Sequence, residues 1–180
     1  MSKLRLLALM VATLAVTATT VVPAAAAPPP GSSTAWFDGR IIDLKQGWGD
    51  AKACVIWNSA GIRQCFRTES AMKLWLSTQK ATSSTQGINV TCSTALKLYD
   101  GLNYTSSTIW FYDRAQWHNL ATFGWSNRPS SFKIGACDSI LADGSSGGGD
   151  WYPLYNTEAW DVAGTMMAGW NNRVSSLYIY

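Results

Sequence analysis

Two short stretches of this sequence share a pattern able to hold a cation: Ser126-Asn127-Arg128-Pro129-Ser130-Ser131 and Asn171-Asn172-Arg173-Val174-Ser175-Ser176. Asn and Ser side chains, with the carbonyls of a loop that folds back on itself, are hard oxygen donors of the kind Ca²⁺ takes. An Asp-Gly step precedes each, Asp100-Gly101 and Asp143-Gly144, and could bring further oxygen from a hairpin whose Gly supplies positive φ. The same residue types also make plain turns, because small side chains with oxygens bond their own backbone.

Catalytic chemistry has thinner support. His118 is the only histidine, and on an aromatic-rich strand it reads as structural. There is no Gly-x-Ser-x-Gly elbow. A carboxylate pair could serve glycoside hydrolysis, but Asp150, Glu158 and Asp161 all fall in loop-like contexts. The chain reads as non-enzymatic.

The four cysteines are Cys54, Cys65, Cys92 and Cys137. Two β-prone runs, Ala53 to Trp57 and Ile62 to Arg67, flank Asn58-Ser59-Ala60-Gly61. A hairpin centred on Ser59 and Ala60 sets Trp57 opposite Ile62 and Cys54 opposite Cys65, within bridging range. Cys92 is then left for Cys137. A metal site is the competing use of these thiols, disfavoured by the lack of any Cys-x-x-Cys and by the single His.

The N-terminus reads as an export signal. Lys3 and Arg5 precede an apolar run from Leu6 to Val22 and small residues from Ala24 to Ala27, the pattern of a cleavable signal peptide. Residues 1–26 are therefore expected to be removed and 27–34 to form a disordered spacer, leaving an extracellular chain with disulfides. The alternative is an uncleaved anchor. Without Lys3 and Arg5 the chain has 12 basic against 11 acidic side chains, which gives no basic patch for nucleic acid. No later run is long enough for a membrane span. Ten Trp, seven Tyr and five Phe promise a dense core, an aromatic binding surface, or both.

Residues 35–91 read as a small hairpin-plus-helix module. Thr68 caps a helix whose Met72, Trp75, Leu76 and Gln79 share a face, and the polar stretch from Ser77 to Gly87 reads as a connection. Beyond it the sequence repeats. Residues 98–106 (LYDGLNYTS) match 141–149 (LADGSSGGG), and 124–134 (GWSNRPSSFKI) match 169–179 (GWNNRVSSLYI), at offsets of 43 and 45 residues. Two units of this size, each ending in a β-prone run, predict two four-stranded units packed together.

On these motifs residues 92–180 resemble the βγ-crystallin superfamily, microbial secreted type, related in fold to the crystallin-like metalloproteinase inhibitors. The resemblance implies a mainly β fold of two Greek keys, 92–135 and 136–180, paired as a sandwich. It implies calcium shared between keys. One site would combine Asn171, the Arg173 carbonyl and Ser175 with the Asp100 hairpin. A weaker one would combine Ser126, the Arg128 carbonyl and Ser130 with the Asp143 hairpin, since Ser126 stands where the family motif has Asn or Asp. The Arg in each loop disfavours a cation, and the Gly-rich 144–149 stretch adds an ordering cost. A Cys92–Cys137 bridge would clip the first key, worth about 4 kcal/mol by loop closure.

The expected function is that of a secreted, monomeric, weakly calcium-binding protein acting on an extracellular peptidase as an inhibitor. Two alternatives stand beside it. One is a calcium-binding extracellular stability protein. The other is a cell-wall or carbohydrate-binding module using exposed Trp36, Trp48, Trp151 or Trp160.

Overall fold

A computed structural model describes residues 29, 31–82, 94–156 and 162–180. The expected signal peptide at 1–26 and Cys92 lie outside the described residues. Twelve strands and one α-helix are described, with short 3-10 turns between them. The strands are β1 (Thr34–Phe37), β2 (Arg40–Asp43), β3 (Ala53–Trp57), β4 (Ile62–Phe66), β5 (Leu96–Tyr99), β6 (Thr108–Phe111), β7 (Trp117–Asn119), β8 (Ser131–Lys133), β9 (Ser139–Ala142), β10 (Trp151–Leu154), β11 (Val162–Ala163) and β12 (Ser176–Ile179). The helix α1 spans Glu69–Thr82.

The strands form two sheets. One holds eight strands in the order β11-β8-β5-β6-β3-β4-β1-β2, the other four in the order β10-β9-β12-β7. The first repeat unit supplies β5 to β8 and the second β9 to β12. Each sends its third strand, β7 or β11, into the sheet of the other. This exchange ties two Greek keys into one sandwich, because neither unit completes a four-stranded sheet from its own strands.

The N-terminal strands extend that sandwich. β3 runs parallel to β6, with Ala53 opposite Thr108 and Ile56 opposite Phe111, so the outer edge of the first key is covered by further strands. Alternate side chains of β3 face two cores. Cys54 and Ile56 point to the main one with Leu98, Ile109, Phe132, Leu141 and Leu177. Ala53 and Val55 point to a smaller one with Met72, Leu76 and Trp110 under α1. A strand buried on both faces needs the continuous apolar run that Ala53 to Trp57 provides.

The β3–β4 hairpin has the expected register, with Trp57 opposite Ile62 and Cys54 opposite Cys65. Cys54 and Cys65 form a disulfide in the core. Cys137 is also disulfide-bonded. In α1 the Thr68 hydroxyl accepts from the Ala71 amide at 3.1 Å and Met72 and Leu76 are buried. The helix continues past Ser77, where a connection was expected, to Thr82. The Ser77 and Thr78 hydroxyls donate to the Leu74 and Trp75 carbonyls at 2.6 and 2.7 Å, which lets these residues stay helical.

A second hairpin, β1–β2, was not expected. It turns on Asp38 (φ 48°) and Gly39 (φ 75°) between Phe37 and Arg40, an Asp-Gly hairpin in which both residues take positive φ. β1 begins at Thr34, inside the stretch read as a spacer. Ser33 accepts from the Leu44 amide at 2.9 Å and Ser32 accepts from the Arg63 guanidinium. No helix among the described residues is long and apolar enough to cross a membrane.

Candidate functional site

The site is built where each key's Asp hairpin meets its own closing loop. Pairing of β5 with β8 puts Tyr99 opposite Ser131, which fixes Asp100 beside Ser130. The Ser130 hydroxyl then lies 3.1 Å from the Asp100 carbonyl, 3.5 Å from the Arg128 carbonyl and 3.0 Å from Asn172 Oδ1, and Ser130 is 5% exposed. Four oxygens from three segments and both keys thus converge. Next to them the Ser131 hydroxyl donates to the Gly101 carbonyl at 2.6 Å and accepts from the Tyr104 amide at 3.1 Å, pinning the hairpin down.

The second key repeats the plan. The Ser176 hydroxyl donates to the Gly144 carbonyl at 2.7 Å and accepts from the Gly147 amide at 3.0 Å. Ser175, half-buried, lies 3.2 Å from Asn127 Oδ1 and 3.1 Å from the Ser126 hydroxyl.

These groupings correct the expected ones. The Asp100 hairpin joins Arg128 and Ser130 of its own key rather than Asn171, Arg173 and Ser175. The Asp143 hairpin joins Arg173 rather than Ser126, Arg128 and Ser130. The physical cause is the pairing of each key's first and last strands, β5–β8 and β9–β12. The second residue of each loop crosses between keys, Asn172 toward Ser130 and Asn127 toward Ser175, and Ser126 crosses toward Ser175 as well. The expected sites instead draw on the first residue, Asn171 or Ser126. Asn171 is exposed and no bond to the Ser130 cluster involves it. The overlooked signal was that Asn stands second in both loops. Each adopts positive φ, 58° at Asn127 and 55° at Asn172, a conformation Asn tolerates.

The Asp-Gly steps also work differently than expected. Gly101 and Gly144 are extended, at φ −112° and −104°. Their lack of a side chain serves close approach instead. A Cβ at Gly101 would meet Thr105 Oγ1 at 2.3 Å, and one at Gly144 would meet the Gly148 carbonyl carbon at 2.6 Å. The Gly-rich 144–149 stretch folds as a copy of the first hairpin: the Asp150 amide donates to Asp143 Oδ1 at 2.8 Å, as the Ser107 amide does to Asp100 Oδ1 at 2.9 Å.

Both Asp carboxylates are also paired with arginine. Arg128 Nη2 lies 2.5 Å from Asp100 Oδ2. Arg173 Nη2 lies 2.5 Å from both Asp143 Oδ2 and Asp150 Oδ2. No group of three His, Cys, Asp or Glu side chains forms a metal cluster among the described residues. The donors at Ser130 are instead carbonyl, amide and hydroxyl oxygens. Ligands 2.3–2.6 Å from a common Ca²⁺ sit about 3 Å or more from each other, and the three separations from the Ser130 hydroxyl, 3.0–3.5 Å, are of that size. Its lack of free carboxylate charge fits only low affinity.

His118, 4% exposed, packs 5.0 Å from the Phe111 ring centroid, and its Nε2 is 3.0 Å from the Asp113 carbonyl. Burial pushes its pKa below 6.5, with nearby Arg63 adding to the shift and Asp113 opposing it. The Asp113 carboxylate accepts from the Asn58 and Ser59 amides at 2.5 and 2.8 Å, joining the β3–β4 turn to the first key. Asp150 is engaged by Arg173, whereas Glu158 and Asp161 lie outside the described residues. Of the tryptophans read as a surface platform, Trp48 is buried against Trp125, with ring centroids 5.1 Å apart. Trp151 is 54% exposed, and Trp160 lies outside the described residues.

No family model matches the sequence. No curated protein matches it either. Among solved structures the chain is similar to the N-terminal domain of Protein S, at 19% identity over 48% of this chain and 96% of that one, with a TM-score of 0.41. It is similar to a βγ-crystallin from Ciona intestinalis, at 13% identity over 48% and 99%, TM-score 0.41. A βγ-crystallin domain from Flavobacterium johnsoniae matches at 21% identity over 47% and 92%, TM-score 0.39. With β7 and β11 exchanged between them, the two described Greek-key units form a mainly β sandwich, the fold class that the repeat predicts.

Proposed function

We propose that the protein is an exported, non-enzymatic βγ-crystallin-type scaffold that binds calcium weakly at Ser130. The observation that supports this is the convergence of the Ser130 hydroxyl, the Asp100 and Arg128 carbonyls and Asn172 Oδ1 within 3.0–3.5 Å. An ion bound there links both keys and so stabilises the folded pair by RT ln(1 + [L]/Kd). With a Kd near 10⁻⁴ M, as in extracellular modules, millimolar Ca²⁺ raises the melting temperature by several degrees, roughly. Mg²⁺, which needs octahedral geometry, does much less. Ser130→Ala removes most of the response. A melting curve that Ca²⁺ leaves unmoved overturns the calcium reading.

The partner proposed for this scaffold is an extracellular peptidase that it inhibits. Rigidity favours that role, since a preorganised surface loses less entropy on binding. The core disulfide and the two folded hairpins supply such rigidity. Residual activity across a panel of metallo- and serine peptidases tests it. A carbohydrate-binding role draws on a different observation, an aromatic row at the four-stranded sheet. Trp117 lies 5.9 Å from Trp151 and 5.3 Å from Tyr178, and Tyr178 lies 5.1 Å from Tyr180. Retention on insoluble polysaccharide, lost in Trp151→Ala, separates this role from inhibition.

A further inference from the structure

We infer that Arg128 is a built-in counter-cation: it closes the first hairpin without metal and holds down the affinity of the Ser130 oxygens for a divalent ion. The inference deepens the calcium reading and rests on it for the identity of the ligand.

The guanidinium is fixed on three sides. It bonds the Asp100 carboxylate at 2.5 Å and the Gly124 carbonyl at 3.2 Å, and it sits 4.8 Å from the Trp125 ring centroid. Asp100 therefore does two things at once. Its carbonyl belongs to the Ser130 oxygen set, while its carboxylate is taken by Arg128 and by the Ser107 amide. The charge that would strengthen a calcium site thus sits on a residue of the oxygen set itself and is already neutralised. Affinity in such sites follows the charge of the ligands, and a fixed positive group beside the oxygens opposes a divalent ion directly.

The second key carries the same device. Arg173 sits 5.2 Å from the Trp170 ring centroid and takes both Asp143 and Asp150. In each loop the Arg follows three residues after a Trp, so the repeated Gly-Trp-Ser/Asn-Asn-Arg sequence encodes a ring, a guanidinium and a hairpin carboxylate in one stack. A bond from hairpin to closing loop is what a bridging ion would also provide. Here an organic cation of the chain provides it.

The test uses the full mature chain, with calcium titration calorimetry and melting curves in chelator and in millimolar Ca²⁺. Arg128→Gln is expected to melt lower in chelator. It is expected to bind Ca²⁺ about tenfold more tightly than the unsubstituted chain, because one positive charge is gone and one carboxylate is released. Arg128→Lys, which keeps the charge, shows no gain. Asp100→Asn added to Arg128→Gln cancels the gain.

Arg128→Gln binding no more tightly than the unsubstituted chain overturns the inference and leaves the calcium reading standing. A response in Arg128→Gln alone supports the inference and overturns calcium binding by the natural chain. Silence from both overturns both. Should Arg128→Gln fail to melt cooperatively, Arg128→Met, which keeps a stem against Trp125 while removing the charge, reads the same effect, and no gain there overturns the inference.

Discussion

In the first key Ser130 is 5% exposed and its hydroxyl has three oxygen neighbours from two other loops and its own. In the second key the equivalent Ser175 is half-buried and meets Asn127 and Ser126. The loops are near-identical in sequence, so the difference comes from their surroundings. The first key is buttressed: β3 covers β6, and Trp48 packs on Trp125 and donates to the Phe123 carbonyl at 2.8 Å. The second key's sheet has β10 at its edge, a strand with exposed Trp151 and with Pro153 where no ladder N–H is needed. A six-residue motif sets which atoms point inward. The packing behind it decides how firmly they are held.

The largest test of this asymmetry removes the buttress. Asp113 is 3% exposed and its carboxylate satisfies the Asn58 and Ser59 amides. Asp113→Ala removes two charge-assisted bonds, to the half-buried Asn58 and the exposed Ser59, and leaves Arg63 without its nearby anion; it is expected to cost about 3 kcal/mol, read by denaturant unfolding. A loss under about 1 kcal/mol would mean that the N-terminal strands are held by the sheet alone.

Removing the bridge beside it comes next. Replacing Cys54 and Cys65 together by Ala lengthens the unfolded chain's freedom over a separation of 11 residues and is expected to cost about 2–3 kcal/mol. The same unfolding assay checks it. If the pair is neutral, the β3–β4 hairpin gains its stability from the two cores on either side.

The serines then sharpen the comparison within the repeat. In chelator Ser130→Ala is expected to cost about 1.5 kcal/mol, since it empties a buried position that ties together three part-buried oxygens, and Ser175→Ala at most about 0.5. Equal losses would mean that the two loops are equally well held despite their different burial.

What could be read in advance follows the same division. The repeat made two Greek keys legible because each landmark carries a local signal. The Cys54–Cys65 register was legible because an antiparallel hairpin relates its positions by a simple rule. The β3–β6 pairing was not, because Val55 and Trp110 are joined in parallel across 55 residues with no turn to announce them. The cross-key role of Asn127 and Asn172 was half-visible: the residue type was there, but its reach depends on the exchange of strands that brings the loops together. At Gly101 the turn position is legible but its cause is not, since contact with Thr105 rather than positive φ demands the glycine.

A change of pH reads the junction without a substitution in the buttress. His118 lies in β7, the first-key strand that crosses into the other sheet, with Asp113 and Arg63 as its charged neighbours. Burial favours the neutral ring, so the folded pKa lies below 6.5. The unfolded chain binds a proton first as pH falls through 6.5, and between that value and the folded pKa it holds more protons than the native state. Stability therefore rises with pH across this window. It is complete above the unfolded value and lost on acidification toward the folded one, at up to about 1.4 kcal/mol per pH unit. His118→Gln should flatten this slope while leaving the carboxylate-driven loss at lower pH in place. Amide exchange at Asn58 and Ser59 should quicken in the same window, because the Asp113 backbone that holds the ring also carries their acceptor. Parallel stability curves for the natural chain and His118→Gln between pH 7 and 5 would show that the ring is not the titrating group.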